Sequence, residues 1–171
     1  SDYKTSFTIP DKITNMNQLQ NQVIYMIQPG RAPTAGNAQP LKFGAKDVQD
    51  LSWKNRLDAD SCTECGRCSA ACPANITGKL LSPRKIMMDT RDRITEIGNN
   101  IDKHGKDFTD DKTLLDNYIT REELWACTSC NACVEACPIN MDPLSIITDM
   151  RRYIAMEEAQ APASLNNMFT N

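Results

Sequence analysis

Two stretches decide the fold of this chain: CTECGRCSAACP, from Cys62 to Pro73, and CTSCNACVEACP, from Cys127 to Pro138. Both follow the spacing Cys-x-x-Cys-x-x-Cys-x-x-x-Cys-Pro, and they contain all eight cysteines of the 171 residues. In this spacing three close thiolates bind three irons of one cubane, and the fourth reaches the other cluster. Proline offers no N–H to continue a helix, so the chain must leave after each fourth cysteine. The two runs therefore predict two [4Fe–4S] clusters.

Two other uses of eight cysteines fit the sequence less well. Disulfide frameworks are typical of small secreted domains, but the opening SDYKTSFTIP lacks the apolar region of a signal peptide. Structural zinc takes cysteine pairs with a longer spacer or adds histidine, and the only histidine, His104, lies far from both runs. Thiolates that bind iron must stay reduced, which predicts a cytoplasmic location.

The two runs are parts of a longer repeat. Residues 61–76 align with residues 126–141 at an offset of 65, with eight identities in sixteen positions. After a five-residue slip, the segment from Pro83 to Arg91 mirrors the segment from Pro143 to Arg151. Each unit is thus a cysteine run followed by a helix, and two such units are expected to pack about a pseudo-twofold axis.

Helix signals surround both runs, and residues 46–160 show no alternating strand pattern, so the fold class is all-α. Ser82 and Asp142 are good N-caps, and each precedes a proline at the first helical position. The pattern predicts one helix over 83–97, ended by Gly98, and another over 143–158. A capping box at Thr120 predicts a third helix that leads into Cys127. By analogy, a short helix over 50–59 leads into Cys62. The expected inward-facing residues are Ile86, Thr90, Ile94, Ile97, Ile146, Ile147, Met150 and Ile154.

The remaining segments are polar. Residues 99–112 are interpreted as a solvated loop, with His104 exposed in it. Residues 1–45 are rich in Gln, Asn, Thr and Pro and contain one apolar patch, VIYMI at 23–27. They are either a disordered linker or an extended arm that lies along a partner. The predicted organisation is an arm over 1–45, a two-cluster domain over 46–160 and a tail over 161–171.

Charge and hydropathy exclude several partners. The formal net charge is −3 with no basic face, which argues against nucleic-acid binding. Eight thiolates add eight negative charges and two oxidised cubanes add four positive ones, so the loaded protein is expected near −7. Partners with basic docking surfaces fit this charge. No window reaches the ~18 apolar residues of a membrane span, so any membrane contact is expected to go through a partner.

These features together resemble the α-helical ferredoxin domain. That domain occurs in heterodisulfide reductase C-type subunits and in the iron–sulfur subunits of succinate dehydrogenase, glycolate oxidase and anaerobic glycerol-3-phosphate dehydrogenase. The likeness covers about residues 46–159 and is greatest to bacterial heterodisulfide-reductase-related iron–sulfur oxidoreductases. It implies one [4Fe–4S] cluster on Cys62, Cys65, Cys68 and Cys137, and another on Cys127, Cys130, Cys133 and Cys72.

The resemblance also implies a function. Larger relatives carry a catalytic domain with adjacent cysteines, but this chain has no Cys-Cys pair, so no catalytic residue is assigned. Residues 1–49 lack the cysteines of a [2Fe–2S] domain, and neither run has lost a ligand. The expectation is an electron-transfer subunit that relays single electrons between a flavin- or quinone-linked dehydrogenase and another redox module. The expected partners are a flavoprotein, a cysteine-rich subunit or a membrane quinone-reactive subunit. The alternative is an assembly or regulatory protein in which the clusters are structural staples.

Some residues near the cysteines have two interpretations. Core packing is expected for four apolar residues, which would also screen the clusters from water: Ile76, Met87, Ile139 and Met141. Arg67 has no counterpart in the second run, where Ala132 stands, and it either tunes one cluster or is a surface residue.

Overall fold

The computed structural model describes residues 42–105 and 108–169, together with 23, 24, 26–28 and 30. Within those residues the chain is helical, and an isolated bridge between Leu115 and Ile119 is the extent of β pairing. The predicted all-α fold is confirmed. In chain order the helices are α1 (Trp53–Ser61), α2 (Arg67–Ala70), α3 (Pro73–Ile76), α4 (Pro83–His104), α5 (Leu114–Asn117), α6 (Arg121–Ala126), α7 (Ala132–Glu135), α8 (Pro143–Arg152) and α9 (Ala163–Phe169). A π-helical turn, Tyr153–Glu157, extends α8 directly.

The predicted caps start the helices that flank the cysteine runs. Ser82 Oγ accepts from Lys85 N at 3.4 Å, and Asp142 Oδ1 accepts from Ser145 N at 2.9 Å. Thr120 forms the expected capping box with the third helical residue, so α6 begins where the sequence predicts. Helix α1 begins at Trp53 rather than at residue 50, because the Ser52 hydroxyl accepts from Asn55 N at 3.1 Å.

The core lies where α4 packs against α1 and α8. Six of the eight residues predicted to face inward are fully buried, and the other two, Ile94 and Ile97, are partly buried against the core. Met87, one position along from Ile86, is also buried at 1% exposure. The predicted faces of the two long helices are therefore confirmed.

Helix α4 runs to His104, so the predicted end at Ile97 is wrong. Glycine inside a helix costs about 1 kcal/mol relative to alanine, and tertiary contacts beyond Gly98 outweigh that cost. Asn100 Nδ2 donates to Asp110 Oδ2 at 3.2 Å on the turn after this glycine. His104 is exposed, as predicted, but it is the last helical residue, and its ring stacks on Phe108 at 4.6 Å.

A buried arginine explains why the segment after α4 folds back. The side chain of Arg93 is 1% exposed, and its guanidinium contacts Asp47, Glu96 and Asp110 at 2.8, 3.0 and 2.6 Å. It also donates to the carbonyl of Lys112 at 2.5 Å. The interpretation of residues 99–112 as a solvated loop is therefore wrong for Asp110 and Lys112, which anchor this segment to α4.

The π-helical turn joins the two ends of the folded part of the chain. Phe43 N donates to Glu157 Oε1 at 2.5 Å, and Arg121 of α6 contacts Glu158 at 2.6 Å. Gly44 sits directly against α8 with a left-handed φ of 71°, and Ala45 N donates to Asp149 O at 3.0 Å. Residues 42–45 therefore pack on α8, whereas most of the predicted arm lies outside the described residues.

We predict that Arg93→Ala lowers the free energy of unfolding by about 3 kcal/mol, because it leaves three carboxylates without their common cation. The lower end of the usual range is expected since the carboxylates are 18–27% exposed. Denaturant unfolding of the anaerobic, iron-loaded protein measures the loss. Arg56→Ala, on the exposed face of α1, is the control and should change stability by less than about 0.5 kcal/mol. Equal midpoints for the two variants would contradict the assigned role.

Two glycine substitutions should have opposite effects. A Cβ at Gly44 would lie 2.2 Å from Asp149 O, so Gly44→Ala should destabilise the fold by more than about 1 kcal/mol. A Cβ at Gly98 meets nothing within 4 Å, so Gly98→Ala should stabilise α4 by about 0.5–1 kcal/mol. Thermal unfolding of both variants checks the signs. A stabilising Gly44→Ala would show that residue 44 does not pack against α8.

Candidate iron–sulfur centres

The two cysteine runs adopt matching backbones. Each first cysteine caps the C-terminus of a helix, Cys62 after α1 and Cys127 after α6. The residue midway to the second cysteine is left-handed in both runs, with φ of 58° at Glu64 and 54° at Ser129. The residue after the second cysteine is left-handed too, with φ of 78° at Gly66 and 65° at Asn131. A short helix, α2 or α7, then carries the third cysteine.

Cysteines from both runs line one cavity of ≈ 380 Å³. Its cysteines are Cys62, Cys65, Cys68, Cys133 and Cys137. Three of the apolar residues expected near the clusters, Met87, Ile139 and Met141, also line it, whereas Ile76 is 69% exposed. The sequence did not point to Arg84 and Pro143, which complete the wall from the first turns of α4 and α8.

Burial and mutual repulsion act on the thiols of the third position. Burial raises the pKa of Cys68, and the nearby Cys62 and Cys65 add to the shift. Burial also raises the pKa of Cys133 to about 12, with further contributions from Cys127 and Cys72. In contrast, the backbone N–H of Ala132 lowers the pKa of the exposed Cys130. Bound iron would remove the protons that these raised pKa values retain.

The thiol contacts show which cysteines approach each other. Cys72 of the first run lies close enough to Cys133 of the second to repel its thiolate. Backbone amides also approach sulfur atoms, with Ser129 N donating to Cys127 Sγ at 3.4 Å and Met141 N donating to Cys137 Sγ at 3.3 Å. Such N–H donors stabilise the negative charge of a reduced cluster.

The donor set fits [4Fe–4S] clusters. All eight cysteines are free thiols. In the part of the chain that the structure describes, no three Cys, His, Asp or Glu side chains converge closely enough to hold a single ion. The cysteines instead surround a cavity, which suits a cubane because each thiolate binds a different iron at its corner.

The family comparisons agree with this chemistry. A family model described as a 4Fe-4S dicluster domain matches residues 54–138, and a second dicluster model matches residues 14–77. A 4Fe-4S binding domain model matches residues 126–151. The chain is therefore a dicluster iron–sulfur protein that binds two [4Fe–4S] clusters.

Curated relatives place it more narrowly. It is 31% identical over 75% of its length to the EtfAB:quinone oxidoreductase of Syntrophomonas wolfei, covering 21% of that protein. It is 28% identical over 82% of its length to the probable iron-sulfur-binding oxidoreductase FadF of Bacillus subtilis, covering 25% of that protein. To the C-type subunit of the ferredoxin/F420H2-dependent CoB-CoM heterodisulfide reductase of Methanosarcina acetivorans it is 29% identical, covering 69% of this chain and 60% of that one. The chain belongs to the group of iron–sulfur proteins that includes the C-type subunits of heterodisulfide reductases and FadF-like oxidoreductases.

The extent of these matches is uneven. The chain spans only about a fifth to a quarter of the first three curated relatives. No solved structure matches it significantly. Among the described residues, no helix is both long and apolar enough to cross a membrane.

Proposed function

We propose that this protein relays single electrons between a flavin- or quinone-linked dehydrogenase and another redox module. The observation that carries the proposal is the convergence of cysteines from both runs on one cavity, with a full set of four cysteines in each run. A bound [4Fe–4S] cluster supplies one-electron chemistry at such a site. The protein's own residues hold the thiolates, direct N–H groups at sulfur and cover the site with apolar side chains.

The names of the relatives support this class of partner. Two are named as oxidoreductases and one as part of a heterodisulfide reductase, and the name of the Syntrophomonas wolfei protein includes EtfAB and quinone. We therefore infer that the electron donor or acceptor is a flavoprotein, a cysteine-rich subunit or a membrane quinone-reactive subunit. A cytoplasmic location with membrane contact through such a partner is part of this proposal.

We further propose that the fourth cysteines are exchanged, so that Cys137 serves the cluster of the first run. The start of α8, which follows Cys137, contacts the helix that leads into the first run. Ser145 Oγ lies 2.6 Å from Asn55 Oδ1, and Asp142 N donates to Asp58 Oδ2 at 3.3 Å. Cys137 and Pro143 also line the cavity of the first run, which supports this ligand set.

Reciprocal contacts support Cys72 as a ligand of the second cluster. The start of α4, which follows Cys72, contacts the helix that leads into the second run. Lys85 Nζ lies 2.8 Å from Glu123 Oε1 and donates to Tyr118 O at 3.0 Å. The proximity of Cys72 to Cys133 agrees with the same exchange.

Redox titration tests the relay. The reconstituted protein should hold about eight irons and eight inorganic sulfides, and both clusters should be reduced and reoxidised without loss of iron. Visible absorbance, EPR and iron content over repeated cycles provide the measurement. If reduction releases iron or unfolds the chain, the clusters are structural staples and the relay proposal fails.

Single Cys→Ser variants test the exchange. Cys72→Ser should alter the same EPR signal as Cys130→Ser, because both residues would ligate the second cluster. Cys137→Ser should alter the same signal as Cys65→Ser. A change from a [4Fe–4S] to a [3Fe–4S] spectrum at the affected cluster is the expected readout. If Cys72→Ser and Cys65→Ser change the same signal, each cluster is held within its own run.

A further inference from the structure

The repeat places one arginine beside the first cysteine of each run. Arg91 on α4 and Arg151 on α8 occupy corresponding positions of the two aligned segments. The charge of Arg91 interacts with Cys62, and that of Arg151 interacts with Cys127. Each guanidinium therefore brings a positive charge to a cysteine that is expected to bind iron.

In the first half this charge meets a carboxylate. Arg91 Nη2 lies 2.5 Å from Glu64 Oε1, and Glu64 stands in the loop between Cys62 and Cys65. The arginine side chain is 30% exposed and the glutamate side chain 46% exposed. The hydrogen bond from this carboxylate raises the pKa of Arg91. The positive charge near the first run is thus neutralised within the loop itself.

In the second half the equivalent charge meets only neutral acceptors. Arg151 donates to Leu124 O at 2.9 and 2.5 Å, to Cys127 O at 2.5 Å and to Ser129 Oγ at 3.3 Å. Its guanidinium also lies 5.2 Å from the centre of the Trp125 ring. Among the described residues, no carboxylate lies within 4.0 Å of it as an ion-pair partner. Ser129 occupies the position that Glu64 holds in the first run.

Other charges near the runs are more exposed than Arg151. Arg67 and Arg84 of the first half and Glu135 of the second are exposed, although Arg84 lies at the wall of the first cavity. Water and salt screen such charges strongly. Burial lowers the pKa of Arg151, but a guanidinium keeps its proton at neutral pH. Its charge therefore acts through a less polarisable medium than theirs.

We propose that Arg151 is a positioning residue whose uncompensated charge raises the reduction potential of the cluster bound by Cys127, Cys130 and Cys133, whereas Glu64 cancels the same effect of Arg91 at the first cluster. A fixed positive charge favours the state that has gained an electron. The replacement of glutamate by serine at one loop position thus biases the electron towards the second cluster. This inference rests on the proposed relay function.

Substitution of Arg151 alone would not test the proposal cleanly. Its contacts with Leu124 O and Cys127 O cap the C-terminal end of α6, so its loss would also disturb the entry to the second run. Ser129 offers a better site. Glu64 already adopts a φ of 58°, and Ser129 has a φ of 54°, so Ser129→Glu can introduce the missing carboxylate without a new backbone conformation.

The experiment compares Ser129→Glu with its neutral control Ser129→Gln in the intact, iron-loaded protein. Potentiometric EPR titration should show a more negative midpoint for the second cluster in Ser129→Glu than in Ser129→Gln, with the first cluster unchanged. In the reciprocal variant, Glu64→Gln, the midpoint of the first cluster should move to a more positive value. Cys65→Ser and Cys130→Ser identify the two signals. Both shifts should shrink at high salt, because they arise from charge.

Equal midpoints for Ser129→Glu and Ser129→Gln, at unchanged iron content, would overturn the inference. A shift of the first cluster instead of the second in Ser129→Glu would overturn it as well. These outcomes differ from failure of the relay function, in which the unsubstituted protein would show no reversible reduction. A reversible wave that Ser129→Glu leaves in place refutes only the role of Arg151.

Discussion

Each cysteine run is a loop between two helices, and such a loop can hold its sulfurs in place only if both helices are fixed. The helices that enter the runs, α1 and α6, end at the first cysteine of each run. The helices that follow, α4 and α8, begin with a capped proline and contact the entry helix of the opposite half through Lys85 and Ser145. Neither half can therefore set the shape of its own loop alone, which makes the two sites parts of one cooperative unit.

Much of this arrangement follows from sequence because it depends on local chemistry. The cysteine spacing predicted the chemistry of the donors, and the caps at Ser82, Thr120 and Asp142 predicted where three helices begin. The apolar period predicted the buried faces of α4 and α8 because a helix presents every third or fourth residue to one side. Gly66 and Asn131 suit left-handed positions by residue type, but Glu64 and Ser129 give no such signal.

Long-range contacts account for what the sequence did not predict. Arg93 lies on the same face of α4 as Thr90 and Ile97, yet a charged residue there is ordinarily taken as the edge of the buried stripe. Its burial depends on carboxylates 46 residues before it and 17 residues after it, and no local pattern announces that they converge. The same contacts carry α4 past Gly98, which local propensity alone would favour as an end. In contrast, the correspondence between Arg91 and Arg151 was visible in the repeat, but the partners that make them differ were not.

The π-helical turn at Tyr153–Glu157 gives the second half a feature that α4 lacks in the first. Such a turn accommodates one extra residue, which rotates everything after it by about 100° around the helix axis. Glu157 and Glu158 consequently reach Phe43 and Arg121. The start of the folded chain is thereby tied to the helix that carries Arg151, beside the second cysteine run. A pull on the chain at residue 42 would be felt first at the second cluster's loop, which makes this end of the molecule its mechanical handle.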